Sequence, residues 1–275
     1  MNEQNIIYKN GDFHNASQID NISYKGVTIY EVLRIIEGKP LFFAEHFERL
    51  KNSCVKTSHT CPVEHDELYE ILIKLSTKNK QQTGNIKIEV RLDKESHSIL
   101  IRFIPHAYPT PYMYKNGVKV GFLHAERHQP EIKTDQPEVR NKANQIINDN
   151  NFYEVLLVNH ENEITEGSRS NIFFIVGNTL VTPPLNQVLK GITLCKVLDI
   201  AHEKNIQIEY KNLTLSELQH VDSMFLTGTS PKILPISQIG DYKFNVKHKL
   251  LKKISNAYDK VIIGDLKKAK NTNPA

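Results

Sequence analysis

Two short segments of this sequence carry residue types that bind anions. Gly191-Ile192-Thr193 precedes an apolar helical pattern, so the first backbone N–H groups of a helix and its positive dipole end would face one spot. This arrangement suits a phosphate. Thr227-Gly228-Thr229-Ser230 follows a predicted strand and offers hydroxyls and a glycine for a similar anion nest. The alternatives are a helix whose N-cap is Thr193 and an ordinary polar turn.

A single carboxylate lies beside a strongly apolar stretch. Glu166 stands between a short predicted strand and the apolar run 172–176. We therefore expect it to be partly buried and to need a positive or proton-donating partner. A protonated ring nitrogen of a bound heterocycle would meet that need. Arg169 or a lysine would meet it as a purely structural partner.

Lys133 and Lys142 are candidates for a nucleophilic amine. A lysine that bonds covalently to an aldehyde lies beside that group and is desolvated, so that its amine is free to react. Most lysines are instead solvated surface residues. Both interpretations stay open for each residue at this point.

His46 and Arg49 are three residues apart, on one face of a predicted helix. An arginine held on a helix could clamp a phosphate with its planar guanidinium group. The alternative is a salt bridge with Glu45 or Glu48 of the same helix. His46 is more typical of a packed histidine than of a catalyst.

Composition and spacing exclude several classes of protein. The 275 residues carry 35 Lys and Arg against 31 Asp and Glu, a net charge of +4, which does not indicate a nucleic-acid binder. Cys54, Cys61 and Cys195 contain no CxxC spacing, so neither a disulfide scaffold nor a cysteine zinc site is expected, and a reducing cytoplasm fits best. His124 and His128 lack a third ligand, which favours a polar loop over a metal site. No apolar stretch is long enough for a membrane span.

Apolar spacing predicts the elements of the first half of the chain. Periods of three and four predict helices and alternation predicts strands; these are strands 5–8, 26–36, 86–92 and 98–104 and helices 42–56 and 67–78. The last two strands should pair antiparallel across a turn at 93–97. Three prolines within 105–111 favour an extended segment, and an interdomain linker is expected at 105–117.

The second half is rich in predicted strands with helices around them. The dipeptide Gly177-Asn178 indicates a hairpin between strands 171–176 and 179–182. The other predicted elements are strands 118–123, 154–159, 163–165, 206–211 and 223–227 and helices 138–150, 191–204, 216–219 and 252–263. The expected fold class is α+β, with a smaller α/β domain at 1–117 that includes the linker and a larger domain at 118–275 built on a β pseudobarrel flanked by helices.

Six segments, taken in order, resemble the fold-type IV pyridoxal-phosphate enzymes, which include branched-chain aminotransferases, D-amino-acid aminotransferases and aminodeoxychorismate lyases. The resemblance covers most of the chain, from about residue 30 to about residue 240, and its strength lies in the order of the runs. The matching runs are Tyr30-Glu31-Val32-Leu33-Arg34, Glu45-His46-Phe47-Glu48-Arg49-Leu50, Ile132-Lys133-Thr134, Ile164-Thr165-Glu166-Gly167 with Asn171-Ile172-Phe173, Leu189-Lys190-Gly191-Ile192-Thr193, and Thr227-Gly228-Thr229 with Pro235.

The resemblance implies a role for each matching residue. Lys133 looks like the lysine that bonds covalently to pyridoxal 5'-phosphate, because its separation from Glu166 suits the family's layout; Lys142 is the alternative. Glu166 looks like the partner of the pyridine nitrogen. Tyr30 matches the active-site tyrosine of the D-amino-acid enzymes, on the substrate side. The remaining residues that would hold the cofactor are Arg49, Leu189, Ile192, Thr193 and Thr229.

The resemblance also implies a reaction. The expected function is transfer of an amino group between an amino acid and a 2-oxo acid, with branched-chain-like substrates favoured by the run 227–236; the alternative is an aminodeoxychorismate lyase that releases pyruvate and 4-aminobenzoate. A third possibility is a non-enzymatic binding protein. The partners expected are small molecules and a second copy in a homodimer, with no nucleic acid and no membrane. The substrate site carries over less well, since only Arg91 and Arg102 are candidates for a carboxylate trap.

Overall fold

The computed structural model of the chain describes residues 5–18, 26–93, 96–127 and 129–271. These residues form two compact units that are interleaved along the sequence. The first unit takes the residues up to 107 together with 132–135 and those from 262 onward, and the second takes 108–131 and 136–261. The domains predicted from the sequence are contiguous instead, and that assignment stays a prediction. Across the described residues, no helix combines the length and the apolar character needed to cross a membrane.

The first unit is built on an antiparallel sheet that has six strands among the described residues. They are β1 (Ile6–Lys9), β2 (Asp12–Asn15), β3 (Val27–Ile36), β4 (Lys39–Pro40), β5 (Gly84–Leu92) and β6 (His97–Ile104), in the spatial order β2-β1-β6-β5-β3-β4. The helices α1 (Phe43–Lys56) and α2 (His65–Lys78) complete this part of the unit. The predicted antiparallel pair is confirmed by β5 and β6, although residues 94–95 of its turn lie outside the described residues.

The apolar face of α1 packs against β3. Phe43, Phe47 and Leu50 are buried at the predicted helical spacing, in one cluster with Ile29 and Leu33 of the strand. Burial of each such side chain contributes about 1.5–3 kcal/mol. Because side chains alternate along a strand, Glu31 shares the face of Ile29 and Leu33, and Tyr30 points to the opposite face. The strand therefore presents Glu31 to α1.

A short segment from the middle of the chain joins the first unit by pairing with β3. Thr134 forms an antiparallel bridge with Ile29. The backbone N–H of Tyr30 donates to the carbonyl of Lys133 at 3.0 Å. This pairing fixes the main chain of Lys133 beside Tyr30.

The second unit is built on a curled half-barrel sheet that has ten strands among the described residues. They are β7 (Val118–His124), β8 (Glu154–Val158), β9 (Glu163–Gly167), β10 (Asn171–Val176), β11 (Thr179–Thr182), β12 (Ile208–Tyr210), β13 (Leu213–Thr214), β14 (Ser223–Gly228), β15 (Lys232–Ile239) and β16 (Tyr242–Lys243). Their order is β12-β11-β10-β14-β15-β7-β8-β9-β13, with β16 on β15. The helices are α3 (Pro111–Asn116), α4 (Pro137–Asn150), α5 (Ile192–Glu203) and most of α6 (Lys249–Asn271). The α+β fold class is confirmed.

Several local predictions differ from the structure. The hairpin at 171–182 is confirmed residue for residue, but residues 111–116 of the predicted linker form α3. The hydroxyl of Thr110 accepts a hydrogen bond from the Met113 N–H at 3.3 Å and Pro111 occupies the first turn, which is a favourable helix start. The closing helix is also longer than predicted, since it runs over Lys249–Asn271.

Candidate active site

In the first unit, Arg49 is held by a buried carboxylate. Glu31 on β3 accepts hydrogen bonds from Arg49 Nε at 2.7 Å, from Arg49 Nη2 at 2.7 Å and from His46 Nδ1 at 2.8 Å. Glu31 is only 1% exposed. Since His46 and Arg49 share one face of α1, both reach the same strand residue. A salt-bridge partner of Arg49 is thus a residue of the neighbouring strand, whereas the sequence suggested Glu45 or Glu48.

The charges in this cluster are set by mutual contact. Burial alone raises the pKa of Glu31, but the charge and hydrogen bonds of Arg49, together with His46, outweigh it and lower the pKa from 4.5 to about 2. Burial lowers the pKa of His46, and the charges of Arg49 and Lys133 lower it further. The hydrogen bond and charge of Glu31 raise it, but they do not outweigh the other effects. A carboxylate accepts hydrogen bonds only, so Nδ1 of a neutral His46 carries the hydrogen. The guanidinium of Arg49 is therefore oriented by an ionised Glu31.

Lys133 lies beside Tyr30 in the same unit. Its Nζ is 4.8 Å from the centre of the Tyr30 ring, and Lys87 Nζ lies at the same distance from that ring. Cations at this distance are attracted by the face of an aromatic ring. Lys142, in contrast, is an exposed residue of α4 in the second unit. Of the two amines, Lys133 has the packed surroundings that a nucleophilic lysine requires.

Lys87 belongs to a charged network on the sheet of the first unit. Its Nζ is 3.0 Å from Glu89 Oε1 and 3.2 Å from Asp135 Oδ2, and Arg102 Nη2 is 3.0 Å from Glu89 Oε2. Burial raises the pKa of Glu89, but Lys87 and then Arg102 outweigh it, so the net shift is downward. Arg102, one of the residues considered for a carboxylate trap, is thus engaged by a carboxylate of the protein.

In the second unit, Glu166 is a buried carboxylate, 3% exposed. Arg127 Nη1 lies 3.5 Å from its Oε1, while Asn171 Nδ2 at 3.3 Å and the Leu189 N–H at 3.4 Å donate to Oε2. These contacts are longer than the roughly 2.7–2.9 Å of a strong charge-assisted hydrogen bond. A closer donor, such as a protonated ring nitrogen, would therefore strengthen the solvation of this carboxylate.

The N-terminus of α5 follows Leu189 by two residues. Its N-cap is Gly191, which has no side chain to cap the helix, so the N–H groups of Ile192 and Thr193 have no acceptor within α5. The interpretation of Thr193 as the N-cap is wrong, since it lies inside α5 with its Oγ1 3.2 Å from the hydroxyl of Tyr258. A Cβ at Gly191 would lie 2.2 Å from Asn171 Oδ1, so this close approach requires glycine.

Thr227 supplies a buried hydroxyl for which the described residues offer no hydrogen-bond partner. It lies directly opposite Asn171 in the pairing of β14 with β10, so the two side chains share one face of the sheet. Buried hydroxyls normally have a partner, and a polar ligand atom would supply one here. Thr229 is half-buried in the turn that follows β14.

These residues of the second unit fit pyridoxal 5'-phosphate. A polar cavity of about 350 Å³ has Glu166, Arg127 and Glu163 in its lining, but the α5 N-terminus and Thr227 are not part of that lining. The α5 N–H groups and the Thr227 hydroxyl are donors suited to phosphate, and Glu166 is an acceptor suited to a ring N–H. The donor set therefore matches the two ends of that cofactor.

Some residues of these clusters were not singled out from the sequence. Glu31 and Asn171 lie inside runs that carried the resemblance, but no role was assigned to them. Arg127 lies between His124 and His128 in the segment interpreted as a polar loop. The structural partners suggested for Glu166 were Arg169, whose guanidinium bonds to Asn144, or a lysine. The possible metal pair of His124 and His128 cannot be followed, because His128 lies outside the described residues.

The family of the chain follows from a match over most of its length. Residues 28–239 match the model of the family described as amino-transferase class IV. The chain belongs to this family, and it is an aminotransferase with the fold-type IV architecture.

Individual relatives are similar over nearly the whole chain. A "probable branched-chain-amino-acid aminotransferase" of Thermotoga maritima is 28% identical over 87% of this chain and 89% of its own length. A D-alanine aminotransferase of Listeria monocytogenes is 29% identical over 78% of each chain. Among solved structures, a hypothetical aminotransferase from Mycobacterium tuberculosis in its PLP-bound form has a TM-score of 0.79 at 14% identity, and covers 94% of this chain and 99% of its own. The last likeness shows the fold alone.

Proposed function

We propose that this aminotransferase uses pyridoxal 5'-phosphate to exchange an amino group between a branched-chain amino acid and a 2-oxo acid. The observation that carries the cofactor assignment is the buried Glu166 carboxylate, 3% exposed, which lies beside Asn171, Leu189 and the N-terminus of α5 in the second unit. The substrate class is supported by the Thermotoga maritima relative.

The cofactor, when bound, supplies an aldehyde that takes up the amino group and a ring that draws electrons from the substrate's Cα. Glu166 would keep a proton on the ring nitrogen, because a buried carboxylate is more stable beside a positive charge. The Nζ of Lys133 would accept the proton from the substrate's Cα and deliver it to the former aldehyde carbon of the cofactor in the same half-reaction, and it would move a proton in the opposite direction in the second half-reaction. Tyr30, whose backbone N–H bonds to the carbonyl of Lys133, orients the substrate beside that amine.

The groups proposed to hold the phosphate of the cofactor come from several elements. Arg49 would contribute its guanidinium, Ile192 and Thr193 their backbone N–H groups, and Thr229 its hydroxyl. Leu189 would pack against the ring. A firmly held phosphate orients the ring throughout the reaction, which is an entropic contribution to the rate.

The spectrum of the purified protein tests the cofactor assignment. Incubation with pyridoxal 5'-phosphate should produce a yellow protein whose visible band disappears on treatment with borohydride, and peptide mapping should find the reduced cofactor on Lys133. The variant Lys133→Ala should show no such band, whereas Lys142→Ala, at the exposed alternative, should match the unaltered protein. A reduced cofactor on Lys142 would contradict the assignment.

Half-reactions with single amino acids test the substrate class. Addition of L-valine, L-leucine or L-isoleucine should bleach the visible band, and addition of a 2-oxo acid should restore it. D-Alanine is the matched comparison because of the Listeria monocytogenes relative. Faster bleaching by D-alanine would replace the branched-chain assignment, and pyruvate release from aminodeoxychorismate without any 2-oxo acid would indicate the lyase.

A homodimer in the cytoplasm is part of the same proposal. It is supported by analogy with enzymes of this architecture and by cysteine usage without a disulfide pattern. Sedimentation equilibrium of the purified protein should give twice the 31.6 kDa chain mass. A measured mass of one chain at micromolar protein concentration would contradict the homodimer.

A further inference from the structure

Lys87 lies on the same face of the first unit's sheet as Tyr30. In the antiparallel pairing of β5 with β3, Lys87 stands opposite Val32 and Glu89 stands opposite Tyr30. Residues directly opposite each other share a face, and so do residues two apart on one strand. Ile29, which belongs to the buried cluster under α1, points to the other face. Lys87 is therefore a residue of the face that carries Tyr30 and is not part of the core under α1.

Lys87 and Lys133 approach one aromatic ring. The Nζ of each is 4.8 Å from the centre of the Tyr30 ring, so the two amines lie at most twice that distance apart. A base and the carbon that gives up its proton lie about 3–3.5 Å apart, and a charge-assisted hydrogen bond to a carboxylate spans about 2.7–2.9 Å. The carboxyl group of an amino acid is bonded to its Cα. A substrate with Cα beside Lys133 thus fits with its carboxylate beside Lys87.

The ammonium group of Lys87 is held by two carboxylates. It donates to Glu89 Oε1 at 3.0 Å and to Asp135 Oδ2 at 3.2 Å, and the Lys87 side chain is 17% exposed. Among the residues that the structure describes, these two hydrogen bonds use two of the three N–H groups of the ammonium. The third N–H group remains for another acceptor, such as a substrate carboxylate.

The two carboxylates leave this cluster attractive to a further anion. Glu89 is shared with a second cation, because Arg102 Nη2 lies 3.0 Å from its Oε2. Asp135 is 48% exposed, so water screens its charge. Lys87 and Arg102 stand opposite each other in the pairing of β5 with β6, and two cations therefore flank one buried carboxylate. The positive charge close to the Tyr30 ring is only partly compensated.

We infer that Lys87 is a specificity-determining residue that binds the α-carboxylate of the amino acid and of the 2-oxo acid. The inference rests on the proposed function and deepens it, since the sequence suggested only Arg91 and Arg102 for this role. An ammonium at this place favours α-amino acids over amines that have no carboxylate, because such amines leave its third N–H group without an anionic acceptor.

A carboxylate without a reacting group tests the inference without turnover. The probe 4-methylpentanoate has the carbon skeleton and the carboxylate of leucine but neither an amino nor an oxo group. Calorimetry on the protein loaded with pyridoxal 5'-phosphate should give a Kd about tenfold higher for Lys87→Met than for the unaltered protein, because one charge-assisted hydrogen bond is lost. Lys87→Arg, which keeps the cation, should retain most of the affinity. An unaltered protein that does not bind the probe, or equal Kd values for the unaltered protein and Lys87→Met, would overturn the inference.

A second lysine of the first unit provides the matched control. Lys78 Nζ lies 5.2 Å from the centre of the Phe13 ring, so Lys78→Met also removes a cation from an aromatic ring. This variant should leave the Kd for 4-methylpentanoate unchanged. If Lys87→Met does not fold, acetylation of the unaltered protein decides: the probe should slow acetylation of Lys87 and not that of Lys78, and equal rates with and without the probe would count against the inference.

Steady-state kinetics separate carboxylate binding from an effect on Lys133. Lys87→Met should raise the KM for leucine and for the 2-oxo acid about tenfold each, with a smaller change in kcat, because the lost contact is made to both substrates before reaction. A lower kcat with unchanged KM values would mean that Lys87 acts only through Lys133, and the inference would be wrong. The proposed function fails separately, since an unaltered protein without a visible band, or with a band that leucine does not bleach, is recognised without any Lys87 variant.

Discussion

Replacement of Glu31 by Gln tests how strongly its buried cluster stabilises the protein. The amide keeps the size of the side chain but removes its negative charge. Arg49, whose side chain is 13% exposed, then loses the carboxylate that binds it at 2.7 Å through two nitrogens. The amide has one oxygen and one NH2 group, so the donors of Arg49 or His46 that face the NH2 group lose their acceptor. The substitution therefore leaves a guanidinium mostly buried without its counter-ion, which is the costly way to break an ion pair.

The magnitude follows from the pKa of Glu31, which falls from 4.5 to about 2 in the folded protein. Each unit of pKa corresponds to about 1.4 kcal/mol, so the ionised Glu31 contributes about 3 kcal/mol at neutral pH. Because the folded pKa is depressed, this contribution is present above pH 4.5 and is lost as the pH falls through about 2. Loss of one partner from a buried ion pair typically costs about 3–5 kcal/mol, which agrees.

Urea unfolding monitored by circular dichroism measures the effect. At neutral pH we expect Glu31→Gln to lower the free energy of unfolding by about 3 kcal/mol, and the difference from the unaltered protein should shrink as the pH falls from about 4.5 toward 2. Glu48→Gln, at an exposed position of the same helix, is the matched control and should change it by less than about 0.5 kcal/mol. Equal effects of the two substitutions, or a Glu31→Gln effect independent of pH, would refute the reasoning.

Three further substitutions probe single contacts. Gly191→Ala places a Cβ 2.2 Å from Asn171 Oδ1 and displaces an amide that bonds to Glu166, so we expect the Kd for pyridoxal 5'-phosphate to rise about tenfold in a spectral titration. Glu166→Gln removes the charge beside Arg127, whose side chain is 10% exposed, so it should lower the free energy of unfolding and also lower kcat about 100-fold in steady-state assays; an unchanged kcat would contradict its role. Ser58→Gly relieves a non-glycine residue at φ of 63° and should raise the free energy of unfolding by about 0.5–1 kcal/mol; a decrease would count against strain there.

Local periodicity predicted most elements because the interactions that form them lie within a few residues of each other. The spacing of Phe43, Phe47 and Leu50 is a property of one helix, and Gly177-Asn178 is a property of one turn. The strand Lys232–Ile239 was not predicted. Pro235, which cannot donate a backbone hydrogen bond, is a residue type that disfavours a strand interior. In the structure Pro235 is a residue of β15 and lies opposite Phe225 of β14. The pairing of β15 with β14 thus outweighs the local preference of proline against a strand.

The site residues divide along the same line. Some site residues act through the backbone of a single turn. Gly191 at the start of α5 is an example, and the sequence around it is enough to recognise it. Partners such as Glu31 for Arg49 lie on different elements, and their pairing depends on the path of the chain between those elements, which no spacing rule reports. Lys133 combines both cases: its short run carries the family pattern, yet its position depends on the pairing of Thr134 with Ile29, far away in sequence. A substitution that weakens that pairing should therefore affect the reactive amine without touching the motif that identifies it.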